Sequence, residues 1–220
     1  MPKKKKQIKK NQQEISFGWS PSQIDGSEYK FPEMNNFPIP SKYSFVDYMP
    51  EVEDQGNTNM CVTFAISAHL DWNFNVDHGY DNDTKHNIDK NEIYSSRKMP
   101  GDNGMTFKEA LSYVRKQGVN SDHGKIKIEK YSMINSEKSL KQALLLNGPC
   151  IGGMYVKNPN RTDFWNGQSN QGGHAIAIVG WTEEGFIIRN SWGKSYGING
   201  YSVMKYEDFD KILECWTIID

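Results

Sequence analysis

The chain has only three cysteines among its 220 residues. Small secreted domains that depend on disulfides use more, so the count argues against an oxidising compartment and predicts that Cys150 and Cys215 are buried free thiols. No apolar stretch approaches the roughly 18 residues that a membrane span needs, so we expect no membrane partner. The basic start is not followed by an apolar segment, which predicts no signal peptide.

The residue spacings that hold cofactors are also missing. The histidines and cysteines show no zinc-binding spacing, and the chain has no phosphate-binding glycine loop and no internal repeat. Asp81, Asp83 and Glu92 match three positions of a calcium loop. His86 stands where that loop requires glycine, however, and Lys85 stands where it requires a ligand. We therefore expect no metal and no cofactor.

The charge of the chain is small in total but unevenly spread. The net charge is −1, yet the first ten residues hold six lysines and no acid. The rest of the chain has 20 basic and 27 acidic residues, which gives it a net charge of −7. Such a Lys-rich arm could bind nucleic acid, an anionic surface or the acidic body itself, although a disordered solubilising tail is the simpler explanation. If the chain binds nucleic acid or an anionic surface at all, we expect it to do so only through this arm.

What the chain does contain is a nucleophile, a base and a group to orient the base, in the order Cys61, His174 and Asn190. Cys61 opens an apolar run that predicts a buried helix, whose first turn would favour a thiolate. His174 would take the thiol proton and later protonate the leaving amine, while Asn190 would hold the imidazole ring. Gln55, six residues before Cys61, would donate its amide N–H to the carbonyl oxygen as that oxygen becomes negative.

The same residues carry a family resemblance. The chain resembles the papain-like cysteine peptidases in the sequences around Gln55, Cys61, His174 and Asn190 and in Tyr196–Tyr201, over about Trp19 to Asp220. It departs from that pattern at Thr58, where secreted members have a disulfide cysteine, and at Val62, where they have Trp. The short intervals between motifs resemble a compact bacterial or viral branch, so we expect a protein of the cytoplasm or of a viral particle.

The resemblance implies an α+β fold with two lobes: a helical lobe that carries the Cys61 helix, packed on an antiparallel β-sheet or barrel lobe. It implies a peptidase domain over residues 39–220, preceded by a basic, Pro-containing arm or short pro-segment over residues 1–38. Because no long pro-region is seen, we expect that this arm lies in or near the cleft and inhibits. The sequence carries no signal for an oligomeric state.

The resemblance also implies a substrate cleft. Asn103 and Gly104 would offer backbone groups to an extended polypeptide along one wall. Met105, Gly172 and Gly173 would help to line the pocket for a substrate side chain, with an apolar preference. Trp192 would shield the hydrogen bond between Asn190 and His174 from water.

Local patterns predict the positions of the main elements. Helices are expected from Cys61 to about Phe74, from Thr106 to Gln117 and from Ser136 to Leu146. The proline-containing residues 14–53 should be extended, and residues 77–91 should form a polar excursion. Strands are expected at 150–156, 174–181, 185–189, 201–205 and 212–219.

The sequence therefore predicts a cysteine endopeptidase that acts on polypeptides through an acyl-enzyme. Two alternatives stay open. The first is an acyl transferase or amidase of the same fold acting on a non-protein amide. The second is a non-catalytic structural or binding protein that retains the fold, although the complete set of Cys, His, Asn and Gln speaks against it.

Overall fold

A computed structural model describes residues 15–78 and 87–220 of the chain. The Lys-rich first ten residues, and the calcium-like spacing at Asp81 and Asp83, lie outside this range. Within the described residues no helix is long and apolar enough to cross a membrane.

Within residues 15–78 and 87–220 the chain forms four α-helices, and a capping side chain precedes the second, third and fourth. In chain order they are α1 (Cys61–His78), α2 (Lys90–Ser95), α3 (Phe107–Gln117) and α4 (Glu137–Asn147). Thr106 caps α3 and exchanges hydrogen bonds with Glu109, which is the predicted capping box. Ser136 and Ser139 cap α4 in the same way. The predicted boundaries of α3 and α4 are therefore confirmed to within one residue.

The strands build an open antiparallel sheet and one separate hairpin. They are β1 (Tyr43–Ser44), β2 (Val119–Ser121), β3 (Gly124–Ile126), β4 (Lys130–Met133), β5 (Cys150–Val156), β6 (Gly172–Trp181), β7 (Gly185–Arg189), β8 (Tyr201–Lys205) and β9 (Glu214–Ile219). The sheet order is β4-β9-β5-β6-β7-β8, with β1 added to β6, and β2 pairs with β3. The edge strands β4 and β8 do not pair with each other among the described residues. The lobe is therefore an open sheet, and the barrel that the sequence allowed is not formed.

Two apolar clusters fill the two lobes. One surrounds α1, α2 and α3 and includes Ile66, Leu111 and Trp216. The other lies between the sheet and α4 and includes Leu144 and Trp181. Because α1 packs directly on β5 and β6, its first residue lies at the junction of the lobes. Cys150 and Cys215 are buried and free, as predicted, and Cys61 is also buried and free.

The structure also differs from the predicted elements. Helix α1 runs to His78 rather than Phe74, and α2 begins inside the segment that was expected to be a polar excursion. The short strands β1, β2, β3 and β4 were not predicted. Each has two to four residues and mixed polarity, so no local apolar alternation marks it.

Candidate active site

Cys61 is the first residue of α1 and is completely buried. Burial raises the pKa of its thiol to about 11, and backbone hydrogen bonds from Ala175 and Gly18 to the sulfur oppose that shift. Ala175 follows His174 in β6, so the thiol lies beside the strand that carries the predicted base. In this form of the protein the thiol is neutral, whereas the helix N-terminus had led us to expect a thiolate.

His174 and Asn190 are joined by a hydrogen bond of 2.9 Å between Nε2 and Oδ1. An amide oxygen can only accept, so Nε2 must carry the proton and Nδ1 must be the unprotonated nitrogen. Nδ1 is buried and has no hydrogen-bond partner in the described part of the chain. Burial lowers the pKa of His174 to about 4, against a smaller opposing effect of Asn190. The ring is therefore a neutral base with a free acceptor nitrogen.

Gln55 is held in one orientation by Ser191, the residue after Asn190. The Ser191 hydroxyl donates to Gln55 Oε1 at 2.6 Å, and the Gln55 backbone N–H donates to the Ser191 oxygen at 2.8 Å. With its oxygen occupied, Gln55 presents its Nε2 donors, one of which reaches the Thr58 oxygen at 2.8 Å. The Ser191 N–H also donates to Asn190 Oδ1 at 2.8 Å. Ser191 therefore hydrogen bonds to both side-chain amides that were predicted to be catalytic, those of Gln55 and Asn190.

Arg189 ties the strand that ends at Asn190 to the segment that leads to Gln55. Its Nη1 donates to the Pro50 oxygen at 2.8 Å and its Nη2 donates to the Glu51 oxygen at 2.9 Å. The side chain is 5% exposed, so these charge-assisted bonds are shielded from water. Arg189 thereby fixes the distance between the two segments.

Aromatic rings cover the imidazole. Trp192 stacks on His174 with 4.6 Å between ring centroids and 29° between planes. Phe164 meets His174 edge-on at 5.6 Å and also packs on Trp192 at 5.0 Å. These rings exclude water from the side of the hydrogen bond to Asn190, which strengthens that bond.

The chain's own N-terminal segment, Ile15–Ser20, crosses this site. We call these residues the cleft segment. The Ser16 oxygen accepts a hydrogen bond from Gln55 Nε2 at 3.1 Å. The Met105 N–H donates to the Gly18 oxygen at 2.9 Å, and the Trp19 N–H donates to the Gly173 oxygen at 2.9 Å. The cleft segment is therefore bound by backbone hydrogen bonds from both walls.

Two aromatic side chains anchor the cleft segment on either side of Gly18. The Phe17 ring lies 6.4 Å from the His174 ring and 6.3 Å from the Trp192 ring. The Trp19 ring is 3% exposed and packs against Phe107 at 6.2 Å and Tyr155 at 6.0 Å. Gly18 itself passes so close to Asn59 that an added Cβ would lie 1.8 Å from the Asn59 oxygen.

The residues predicted to bind substrate fall around this segment, with one exception. Met105 pairs with Trp19, Gly173 accepts from it, and the backbone of Gly104 lies against Gly18. Gly172 lies against Phe17, and Trp192 packs on the same ring. Asn103, in contrast, is exposed and donates to the Pro100 oxygen at 2.7 Å within its own loop.

Sequence reasoning missed several residues of the site. Phe164 and Ser191 were not singled out, and the expected place of the arm in or near the cleft was not tied to particular residues. The Ser191 contact to Gln55 joins residues 136 positions apart. A weak signal did exist for the cleft segment, because two aromatic residues flank a glycine in an otherwise polar stretch.

Comparisons with known proteins agree with the geometry. Residues 120–215 match the family model described as papain family cysteine protease. Fruit bromelain from Ananas comosus is 27% identical over 204 residues, which cover 78% of this chain and 56% of bromelain. Cathepsin O from Homo sapiens is 32% identical over 85 residues, which cover 34% of this chain and 26% of cathepsin O. The match thus spans about half the length of bromelain and about a quarter of the length of cathepsin O.

Solved structures share the fold at low sequence identity. Xylellain, a cysteine protease from Xylella fastidiosa, superimposes with a TM-score of 0.75 at 22% identity, covering 92% of this chain and 95% of xylellain. A procathepsin B from Trypanosoma congolense gives a TM-score of 0.72 at 15% identity, covering 88% and 84%. These likenesses show that the chain has the papain-like α+β fold, and the family-model match covers its second half.

Proposed function

We propose that this chain is a cysteine endopeptidase that hydrolyses polypeptides, with Cys61 as the nucleophile. The observation that carries the proposal is the hydrogen bond from His174 Nε2 to Asn190 Oδ1, because it leaves Nδ1 as the nitrogen able to take the thiol proton. The sulfur then forms a bond to the scissile carbonyl carbon. The C–N bond breaks as the proton on Nδ1 passes to the leaving amine, and water hydrolyses the resulting thioester.

Gln55 and Asn190 have supporting roles in this proposal. Gln55 Nε2, held in place through Ser191, donates to the carbonyl oxygen as negative charge develops there. The backbone N–H of Cys61, at the free first turn of α1, is the second donor. Asn190 keeps the imidazole in the required tautomer, and the Trp192 ring keeps water from their hydrogen bond.

We further propose that the described form is latent. The arm of residues 1–38 acts as a pro-segment for the peptidase domain of residues 39–220, and its cleft segment excludes substrate. This is supported by three features. Ser16 occupies the Gln55 donor, the Phe17 ring covers the imidazole, and Gly18 hydrogen bonds to the Cys61 sulfur. Burial under the segment also keeps the thiol and the imidazole in their neutral forms.

Covalent labelling of the full-length protein with an epoxysuccinyl peptide inhibitor, followed by intact mass measurement, tests both parts. The arm-released variant for this test carries Gly18→Ala and Trp19→Ala. The first change forces the segment away from Asn59, and the second removes its largest buried anchor. We expect slow labelling of the native chain and fast single labelling of the arm-released variant.

Cys61→Ala in the arm-released background is the control and should abolish the adduct. Equal labelling rates for the native chain and the arm-released variant would overturn the latent form but not the peptidase. No adduct on either would overturn the peptidase. A labelled protein that cleaves no member of a peptide library, but does cleave non-protein amides, would favour the amidase alternative.

A further inference from the structure

A cavity of about 320 Å³ lies between helix α1 and the segment Pro50–Asp54. Phe64 and Asp71 line it from α1, and Asn87 lines it as well. None of these side chains has a role in the reaction proposed above. Phe64 and Val52 give the cavity an apolar wall. Its acidic lining residues are Glu51, Glu53, Asp54 and Asp71.

Asp71 is a buried carboxyl of this cavity that lacks a cation. It is 5% exposed, and its Oδ1 has no hydrogen-bond partner among residues 15–78 and 87–220. No Lys, Arg or His of those residues forms an ion pair with it. A buried carboxylate normally needs a partner of opposite charge together with hydrogen-bond donors.

Two cations act on Asp71, and both are bound to other groups. Lys90, the first residue of α2, pairs with Glu53 at 2.9 Å between Nζ and Oε2. The guanidinium of Arg189 donates to two backbone oxygens in the segment Pro50–Asp54, at 2.8 and 2.9 Å. Neither cation forms an ion pair with the Asp71 carboxyl, so its attraction for a positive charge is not satisfied by them.

Asp71 also belongs to a row of unpartnered oxygens along α1. Ser67 lies one helical turn before Asp71 and Asn75 one turn after it, and this spacing places the three side chains on one face of the helix. The Ser67 Oγ and the Asn75 Oδ1 are buried and, in the described part of the chain, have no hydrogen-bond partner. Buried polar atoms in folded proteins nearly always have a partner. This face of α1 therefore suits a ligand that carries hydrogen-bond donors.

We propose that the cavity binds a primary alkylammonium ion, with the ammonium group on the Asp71 carboxylate and the alkyl chain against Phe64 and Val52. An ammonium group has three N–H donors and no acceptor, which matches a site of acceptor oxygens. A metal ion fits less well, because the described residues contain no group of three or more His, Cys, Asp or Glu side chains that could hold one. The site is separate from the proposed peptidase reaction, so the inference stands or falls independently of it.

Binding of the ion is coupled to the protonation of Asp71. Burial raises the pKa of Asp71 to about 8, while Lys90 and Arg189 lower it and Glu53 raises it. Without a ligand, the carboxyl therefore holds its proton near neutral pH. An ammonium partner favours the carboxylate, so binding at pH 7 releases that proton to the solvent. The affinity for the ion should rise with pH up to about 8.

Calorimetry on the full-length native chain at pH 7 tests the proposal with three small probes. They are n-butylammonium, the uncharged 1-butanol of nearly the same shape, and tetramethylammonium, a cation without N–H donors. We expect n-butylammonium to bind roughly 10- to 100-fold more tightly than 1-butanol, the range for a hydrogen bond to a charged group. Titrations in phosphate and in Tris, which differ in heat of ionisation, should show release of nearly one proton per bound ion.

Asp71→Asn should abolish both the preference for n-butylammonium and the proton release. Urea denaturation checks that this variant is folded. Asp77→Asn, which changes an exposed acid of the same helix, is the matched control and should bind like the native chain. The proposal is overturned if n-butylammonium does not bind, if 1-butanol or tetramethylammonium binds as tightly, or if Asp71→Asn leaves the binding unchanged.

The ammonium group could belong to a free amine or to a lysine side chain of another protein. Nα-acetyl-lysine methylamide, titrated in the same way, distinguishes these sources. Binding as tight as that of n-butylammonium would support the site and assign it to a lysine side chain. Binding at least tenfold weaker, beside tight binding of n-butylammonium, would support the site and assign it to a free amine.

Discussion

Gln55 Nε2 donates a hydrogen bond to the backbone oxygen of Ser16 at 3.1 Å. The donor that we assign to the developing oxyanion is therefore occupied by a carbonyl from the same chain. Because Ser191 fixes the Gln55 oxygen at 2.6 Å, the amide cannot turn to free this donor without breaking another bond. Release of the cleft segment and exposure of the Gln55 donor are thus the same event.

Replacing Gln55 should lower the turnover rate without changing the reactivity of the Cys61 thiol. In the arm-released variant, Gln55→Ala should lower kcat by about 10²–10³-fold, since that is the usual cost of losing one oxyanion donor. Steady-state kinetics on a peptide coumarylamide measures the effect. Gln171→Ala, an exposed glutamine, is the control. Unchanged kcat in Gln55→Ala would show that the oxyanion is held elsewhere.

A single methyl group at position 18 should loosen the cleft segment. In Gly18→Ala the added Cβ meets the Asn59 oxygen at 1.8 Å, so the segment must move. We expect Cys61 of the full-length variant to react with iodoacetamide faster than in the native chain, at neutral pH, because water then reaches the thiol and its pKa falls. Gln23→Ala, an exposed arm residue, should leave the rate unchanged. A native rate in Gly18→Ala would argue that the segment does not limit access.

Asp71 should destabilise the fold at high pH. It is 5% exposed in α1, and burial raises its pKa to about 8, with Lys90 and Arg189 acting against the shift and Glu53 adding to it. A carboxyl with a raised pKa in the folded state stabilises at low pH and loses that contribution as pH rises through about 8. Asp71→Asn should therefore raise the free energy of unfolding at pH 8 by about 1–3 kcal/mol, the usual cost of a buried unpaired acceptor. Urea denaturation at pH 6, 7 and 8 checks this, and equal stability of both proteins at pH 8 would contradict it.

As the pH falls, His174 should lower the free energy of unfolding while Asp71 raises it. Burial lowers the pKa of His174 to about 4, so the folded state holds it neutral while the unfolded chain binds a proton below about 6.5. Its contribution to stability is present above pH 6.5 and is lost as pH falls through 4, to a total of about 3 kcal/mol. In the native chain, protonation of Asp71 adds stability over the same pH range and so offsets this loss.

The Asp71→Asn variant isolates the histidine effect. Its free energy of unfolding should fall between pH 6.5 and 4.5, whereas Asp71→Asn with His174→Gln should stay nearly flat there. Measurements end at pH 4.5 because Lys108 and Ser136 lower the pKa values of Glu28 and Glu33, so that in more acid solution these carboxylates add their own loss of stability. Parallel curves for the two variants would show that His174 titrates normally.

Much of the fold was predictable where the information is local. The capping boxes at Thr106 and Ser136 mark the starts of α3 and α4, and apolar runs marked β5, β7 and β8 with their observed bounds. Short elements such as α2 and β4 were not predicted, because a few residues of mixed polarity show no periodic pattern of apolar residues. The sequence also did not predict that the sheet stays open, since closure into a barrel depends on whether strands far apart in the chain pair with each other.

The sequence by itself determined which residues could form the site. The order and spacing of Cys61, His174 and Asn190, with Gln55 before them, predict an activated thiol, and side-chain chemistry gives each residue a predicted role. Only the tertiary structure decided that Ile15–Ser20 crosses the site and that Ser22 donates to Glu214. These contacts join residues far apart in the chain, such as the 192 positions between Ser22 and Glu214. The physical reason is that burial and backbone pairing between distant segments depend on how the lobes pack, which no local pattern encodes.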